Sequence, residues 1–150
     1  DMHITRLADV GHVAINADQL KAAKKIGVQT ERGLVNYEKD CKWTPFLFPI
    51  YSFLARLALL ESDLEKVKFY LKKRESFPLD SEYVLLSEVA TVNSLVKAGH
   101  IDLAVEHFSN LTKDLTETKY AQKYISVLKS GRCINRETLN EQPFLTQVKS

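Results

Sequence analysis

The sequence predicts an all-α fold: an array of α-α hairpins with about seven helices. Three observations lead there. Apolar residues recur at spacings of three and four along most of the chain, the period of one helix face. Strong strand-type alternation is absent, and glycine (5) and proline (4) are scarce among 150 residues. A well-marked helix-turn-helix at 79–115 also has fainter copies earlier in the chain.

From the N-terminus, 3–15 reads as a helix with Ile4, Leu7, Gly11, Ala14 and Ile15 inward. Asn16 or Asp18 caps a second helix, which turns Leu20, Ala23 and Ile26 inward and ends at Gly27. These make a first hairpin over 3–27. Residues 28–43 are more polar and less regular, with Gly33 and the stretch Glu38-Lys39-Asp40-Cys41-Lys42, and read as a connector with a short helical turn near Leu34 to Tyr37. Thr44-Pro45 then supplies a cap followed by proline at the first helical position, with Pro49 an alternative start one turn later. The helix that follows is the most apolar of the chain, with Ile50, Phe53, Leu54, Leu57, Ala58 and Leu60, and is expected at the centre. Ser62-Asp63-Leu64-Glu65 has the letters of a capping box, in which Ser and Glu each satisfy the other's free backbone N–H. The helix it opens has Leu64, Val67 and Leu71 inward and stops before Pro78, closing a second hairpin over 44–77.

The third hairpin, 80–115, is the clearest. Asp80 can cap its first helix, where Leu85, Val89, Val92 and Val96 form one stripe widened by Leu95. Gly99 follows the last periodic residue and can take the left-handed conformation that ends a helix. In the second helix Ile101, Ala104, Val105, Phe108, Leu111 and Leu115 keep to one face; the small Ala104 permits close approach and Phe108 fills the space beside it. A capping helix at 118–130, with Tyr120, Ala121, Tyr124, Ile125 and Leu128 inward, ends at Gly131. The helical domain thus covers 1–131. The tail 132–150 is weakly periodic, and its Phe144-Leu145 can dock as a cap on the last exposed face.

Superimposed on their breaks, the hairpins share a register. Ser62, Leu64, Val67 and Leu71 fall on Gly99, Ile101, Ala104 and Phe108 at an offset of 37, and Asp18, Leu20, Ala23 and Gly27 fall on the former set at an offset of 44. With Leu7, Val10, Gly11 and Ala14 before the first turn and Leu54, Ala55 and Ala58 before the second, the chain resembles the tetratricopeptide repeat family. The likeness covers roughly residues 4–115. It departs at Glu88 and Thr91, where large apolar residues are expected, and in offsets longer than the family's 34-residue unit. The segment Asn93-Ser94-Leu95-Val96-Lys97-Ala98-Gly99 is also similar to the pentatricopeptide family, a related hairpin that binds RNA. The first resemblance implies a right-handed superhelix that scaffolds protein contacts. The second implies an organellar RNA-binding module, the alternative.

Composition narrows the function. At 45% hydrophobic and 27% charged the chain is foldable, and a net charge of +2 does not demand nucleic acid. The longest apolar run, Phe46 to Leu60, is broken by Arg56 and is too short to span a bilayer, so no membrane is expected. Cys41 and Cys133 read as reduced thiols of an intracellular, cytoplasmic protein, with an organelle as the alternative compartment and a single bridge as the alternative pairing. Enzyme chemistry lacks a constellation. His100 and His107 have no metal-ligand spacing and read as solvated or cap-region residues, and there is no phosphate loop, nucleophile elbow or CxxC pair. No catalytic residue, metal or cofactor is expected.

The partner-binding candidate is a basic face on helix 63–76: Lys66, Lys68, Tyr70, Lys72, Lys73 and Arg74, with Phe69 among them. Cations interleaved with aromatics can hold phosphates and stack bases, or take an acidic peptide. A solvated lysine face with aromatics packed on a neighbouring repeat is the plainer reading. Residues 81–116 carry two cations against five anions, while 117–150 carry six against three. This alternation favours a protein or peptide partner over a continuous RNA track. The carboxylate clamp known in the tetratricopeptide family is not expected, because its positions hold Ala8, His12, Ser52 and Arg56. Arg56 remains a candidate for a concave groove, against the plainer reading of a snorkelling or ion-paired side chain.

Overall fold

In a computed structural model the described residues, 2–40, 47–77, 85–113 and 118–135, form seven α-helices and no strand. The helices are α1 (Met2–Asn16), α2 (Leu20–Asp40), α3 (Phe48–Leu60), α4 (Leu64–Glu75), α5 (Leu85–Lys97), α6 (Ile101–Thr112) and α7 (Thr118–Lys129). The fold is all-α. The chain divides into two compact units, Asp1–Arg74 and Glu75–Ser150. The expected cap at Asp80, the Thr44-Pro45 start and the docking of Phe144-Leu145 fall outside the described residues.

One turn serves three junctions. At α1–α2, α3–α4 and α5–α6 a residue with positive φ ends the first helix: Asp18 (57°), Ser62 (58°) and Gly99 (87°). Its amide donates to the carbonyl three residues back, and the next amide to the carbonyl five back. The pairs are Asp18 to Ile15 and Gln19 to Ala14, Ser62 to Leu59 and Asp63 to Ala58, and Gly99 to Val96 and His100 to Leu95. This is the Schellman arrangement, which satisfies the last free carbonyls of a helix. Two residues beyond the left-handed position the next helix begins, and its first bond closes on the linking residue from Ala23, Val67 or Ala104. All three of those residues are buried. The same pair of bonds ends α7, at Gly131 (φ 82°) and Arg132, but there the described residues that follow, 132–135, are not helical.

Two details of the expected caps differ. Ser62 is the left-handed residue, and the side chain that caps α4 is Asp63, whose Oδ1 accepts from the Lys66 amide at 3.2 Å. The cap therefore sits one residue later than expected and is a single side-chain bond rather than a reciprocal box. Asp18 likewise ends α1 rather than capping α2.

In the first unit α3 is the core. Every residue from Ile50 to Ala58 is buried, including Ser52 and Arg56. Pro49 lies in its first turn, where a missing N–H costs nothing. Two glycines let other helices reach α3. A Cβ on Gly11 of α1 would lie 2.3 Å from the Phe53 ring, and one on Gly27 of α2 would lie 2.3 Å from Leu57 Cδ2. Gly27 therefore does not end α2. The helix runs 13 residues further, because Ala23, Gly27, Thr30, Leu34 and Tyr37 continue one buried stripe. The buried Thr30 hydroxyl donates to its own helix at Ile26 O, 2.7 Å, so its polarity costs little there. The expected connector over 28–43 is helical through Asp40.

In the second unit α6 packs on both α5 and α7. Phe108 meets Tyr124 edge-on at 6.1 Å, and Ala104, Leu111 and Leu128 complete the interior. Beyond α7 the chain returns to α5. The Asn93 side chain donates to Ile134 O and accepts from Ile134 N, both at 2.8 Å, and so clamps 132–135 with the two bonds a neighbouring strand would make. Ile134 is buried beneath it.

Candidate functional site

The expected basic residues of α4 do not share one outward face. Val67, Tyr70, Leu71 and Arg74 are the buried stripe, at helical spacings of three, one and three. Arg74, 1% exposed, lays its guanidinium over the Phe48 ring at 3.8 Å. Tyr70 is buried against Glu31 of α2; desolvation first, then that carboxylate and its hydrogen bond, push the phenol above its ordinary range. Lys66 and Lys73 flank the stripe and pair with α2, Lys66 to Glu31 at 3.0 Å and Lys73 to Glu38 at 2.7 Å. The hydrogen bond to Glu31 holds the Lys66 ammonium above its usual pKa against a smaller desolvation. The Lys73 ammonium also sits 5.8 Å from the Tyr51 ring centre and 5.3 Å from that of Phe69. Only Lys68, Lys72 and Phe69 stay exposed. They border an open depression that Asp63, Glu65 and Lys66 also line, so its charge is mixed rather than basic. Tyr70 and Arg74 turn inward because they lie three and seven residues after Val67, on the stripe that meets α2 and α3.

Arg56 is also drawn inside. Its guanidinium donates to His12 Nδ1 and to Asn16 Oδ1, each at 2.8 Å, from a buried position on α3. Burial pulls its pKa below the ordinary arginine value. Because Nδ1 accepts, His12 carries its proton on Nε2 and donates to Pro49 O at 3.3 Å. Arg56 ties α1 to α3 and does not line an open groove.

The cluster that periodicity misses lies in the second unit. His107 is 1% exposed on α6. Its Nδ1 is 2.8 Å from Glu75 Oε2 and its Nε2 is 3.5 Å from Glu88 Oε2. Asn110 donates to the other Glu75 oxygen at 2.6 Å, and Thr91, one turn past Glu88, is buried too. Burial alone would lower the His107 pKa; the two carboxylates outweigh it and raise it. Glu88 and Thr91, polar where an apolar pair is expected, are thus matched by a polar residue on the facing helix. The signal in the sequence was the coincidence of two departures, Glu88 on α5 and His107 on the apolar side of α6. His107 is neither solvated nor in a cap.

This cluster is an imidazole between two carboxylates, with Nδ1 hydrogen-bonded to Glu75 and Nε2 at 3.5 Å from Glu88 within ion-pair range only, and no group of three or more potential ligands that could hold a metal occurs among the described residues. Cys133 is a free thiol whose Sγ lies 3.7 Å from Asn93 O; Cys41 is outside the described residues. No helix among the described residues is long and apolar enough to cross a membrane. No family model, no curated protein and no solved structure matches this chain.

Proposed function

We propose that this chain is a non-catalytic helical-repeat scaffold that mediates protein–protein interaction, as a subunit or fragment of a larger assembly. The observation that carries the reading is the turn used three times. Asp18, Ser62 and Gly99 occupy one backbone position, and Ala23, Val67 and Ala104 one buried position five residues later. A unit that reuses its junction and small contact residue stacks hairpins side by side, as in tetratricopeptide-like right-handed superhelices. The polar side chains that could have formed a reactive site support the reading as well. Arg56, His12 and Asn16 hold helices together, as do Lys66, Lys73 and their carboxylates. On α4 the basic face is not the free track a pentatricopeptide-like RNA module would use, since Lys66 and Lys73 pair with carboxylates of α2.

The test is a titration of the chain with fluorescent single-stranded RNA at two salt concentrations. The scaffold reading expects no salt-sensitive binding in the micromolar range. Such binding, abolished when Lys66, Lys68, Lys72 and Lys73 are changed to Glu, overturns it in favour of RNA. A stoichiometric protein complex that survives purification from the native cell supports it.

A further inference from the structure

A long exposed stripe of one charge lies on α2, not on α4. At 100° per residue, Lys21, Lys24, Lys25, Val28, Arg32, Val35 and Lys39 fall within a sector of about 100°. All seven are exposed, Val28 at 52% and Val35 at 63%. The sector holds five cations and no anion. It runs about 27 Å along the helix, given a rise of ~1.5 Å per residue. Its cations are free to act: none of the five makes an ion pair among the described residues. Glu31 and Glu38, which flank the sector on one side, are paired with Lys66 and Lys73. The same pairs that close the α4 face therefore leave the α2 face unbalanced.

We infer that this stripe of α2 binds an acidic amphipathic helix of a protein partner, laid along α2. The inference rests on the scaffold reading and names the chemistry of one of its contacts. Val28 and Val35 are seven residues apart, two helical turns, which matches apolar residues repeating every seventh position on a facing helix. The flanking cations then meet carboxylates on either side of that seam. Phosphate chemistry fits less well. A nucleic-acid backbone gives two solvent-exposed valines nothing to contact, and the stripe carries no aromatic for stacking. A lipid surface would ask for larger apolar side chains than two valines.

The experiment uses the full chain and a labelled, end-blocked synthetic peptide of about 21 residues, with leucine at each seventh position and glutamate flanking it. Controls are a scrambled peptide of equal charge, single-stranded RNA, and vesicles rich in phosphatidylserine, all read by fluorescence anisotropy or co-sedimentation. The patterned peptide is expected to bind more weakly as salt rises, and at least about ten-fold tighter than its scramble. Lys24→Glu with Arg32→Glu should weaken binding about ten-fold or more, and Val28→Asp with Val35→Asp about five-fold. These residues are exposed, so circular dichroism and melting should match the parent. Equal binding of the scramble, parent-like binding by both double variants, or preference for RNA or vesicles overturns the inference. If the peptide is ignored while a purified native complex persists in the α2 variants, this contact fails and the scaffold reading stands. If no protein complex forms and RNA binds, both fail.

Discussion

At the scale of single residues, the glycines show how a sequence cue can be correct in kind and misplaced in role. Gly11 and Gly27 are close-approach positions against Phe53 and Leu57. Nothing local distinguishes such a glycine from one that ends a helix, because the difference lies in what packs on it from 30 or more residues away. Gly33 is a third case, since a Cβ there would meet only Ile4 Cδ1 at 3.1 Å, the tip of a side chain that can shift by a few tenths of an ångström. These contrasts set opposite signs for one substitution. Gly11→Ala gains roughly 1 kcal/mol of helix propensity but drives a methyl into a buried ring, and overpacking costs about 1 to 3 kcal/mol. The three ring atoms within 2.8 Å belong to a rigid, fully enclosed side chain, so the cost wins and urea midpoints should fall. Gly33→Ala keeps most of the propensity gain and should unfold at equal or higher urea. A Gly33→Ala variant as damaged as Gly11→Ala would show that α2 has no room against Ile4. His107 belongs to this scale too: read alone it is an ordinary surface histidine, and only Glu75 and Glu88, 32 and 19 positions away, give its buried ring carboxylate neighbours.

At the scale of elements, helix existence was legible, and the turn register was legible to the residue. The alignment of Ser62 with Gly99 and Asp18 rests on where apolar stripes break, and the backbone puts all three at positive φ, 57°, 58° and 87° for Asp18, Ser62 and Gly99. The extent of α2 was hidden, because two members of its buried stripe, Gly27 and Thr30, are not apolar. The face of α4 was misjudged for the related reason that Tyr70 and Arg74 carry polar tips on stems that bury well. The shared turn makes a prediction that no contact explains. Ser62 holds φ 58°, which costs a non-glycine residue about 1 kcal/mol or more, and glycine removes that cost. Ser62→Gly should therefore raise the melting temperature. Gly99→Ala should lower it by a few degrees although no atom lies within 4 Å of the added methyl, since φ 87° is strained for alanine. If Gly99→Ala melts like the parent, the α5–α6 junction does not use this turn in solution.

At the scale of the whole molecule, the two units are expected to differ in how they respond to pH, and the sign follows from His107. Its folded pKa lies above the ordinary 6.5 because Glu75 and Glu88 outweigh burial. Folding therefore binds a proton that the unfolded chain releases near 6.5, and the stabilisation is complete below that value. As pH rises from there through the raised folded pKa, the contribution is lost. The sites involved, α5, α6 and Glu75, all lie in the second unit, so the loss should be local. Hydrogen exchange at pH 6 and pH 9, corrected for intrinsic rates, should show amides of α5 and α6 losing protection at the higher pH by a larger factor than those of α3. His107→Gln keeps a hydrogen-bonding side chain that does not titrate. It should be less protected than the parent at pH 6, and the difference should shrink by pH 9. Parent and variant with equal pH slopes in α5 and α6 would mean that the imidazole is neutral between its carboxylates, and that one of the two acids carries the proton instead.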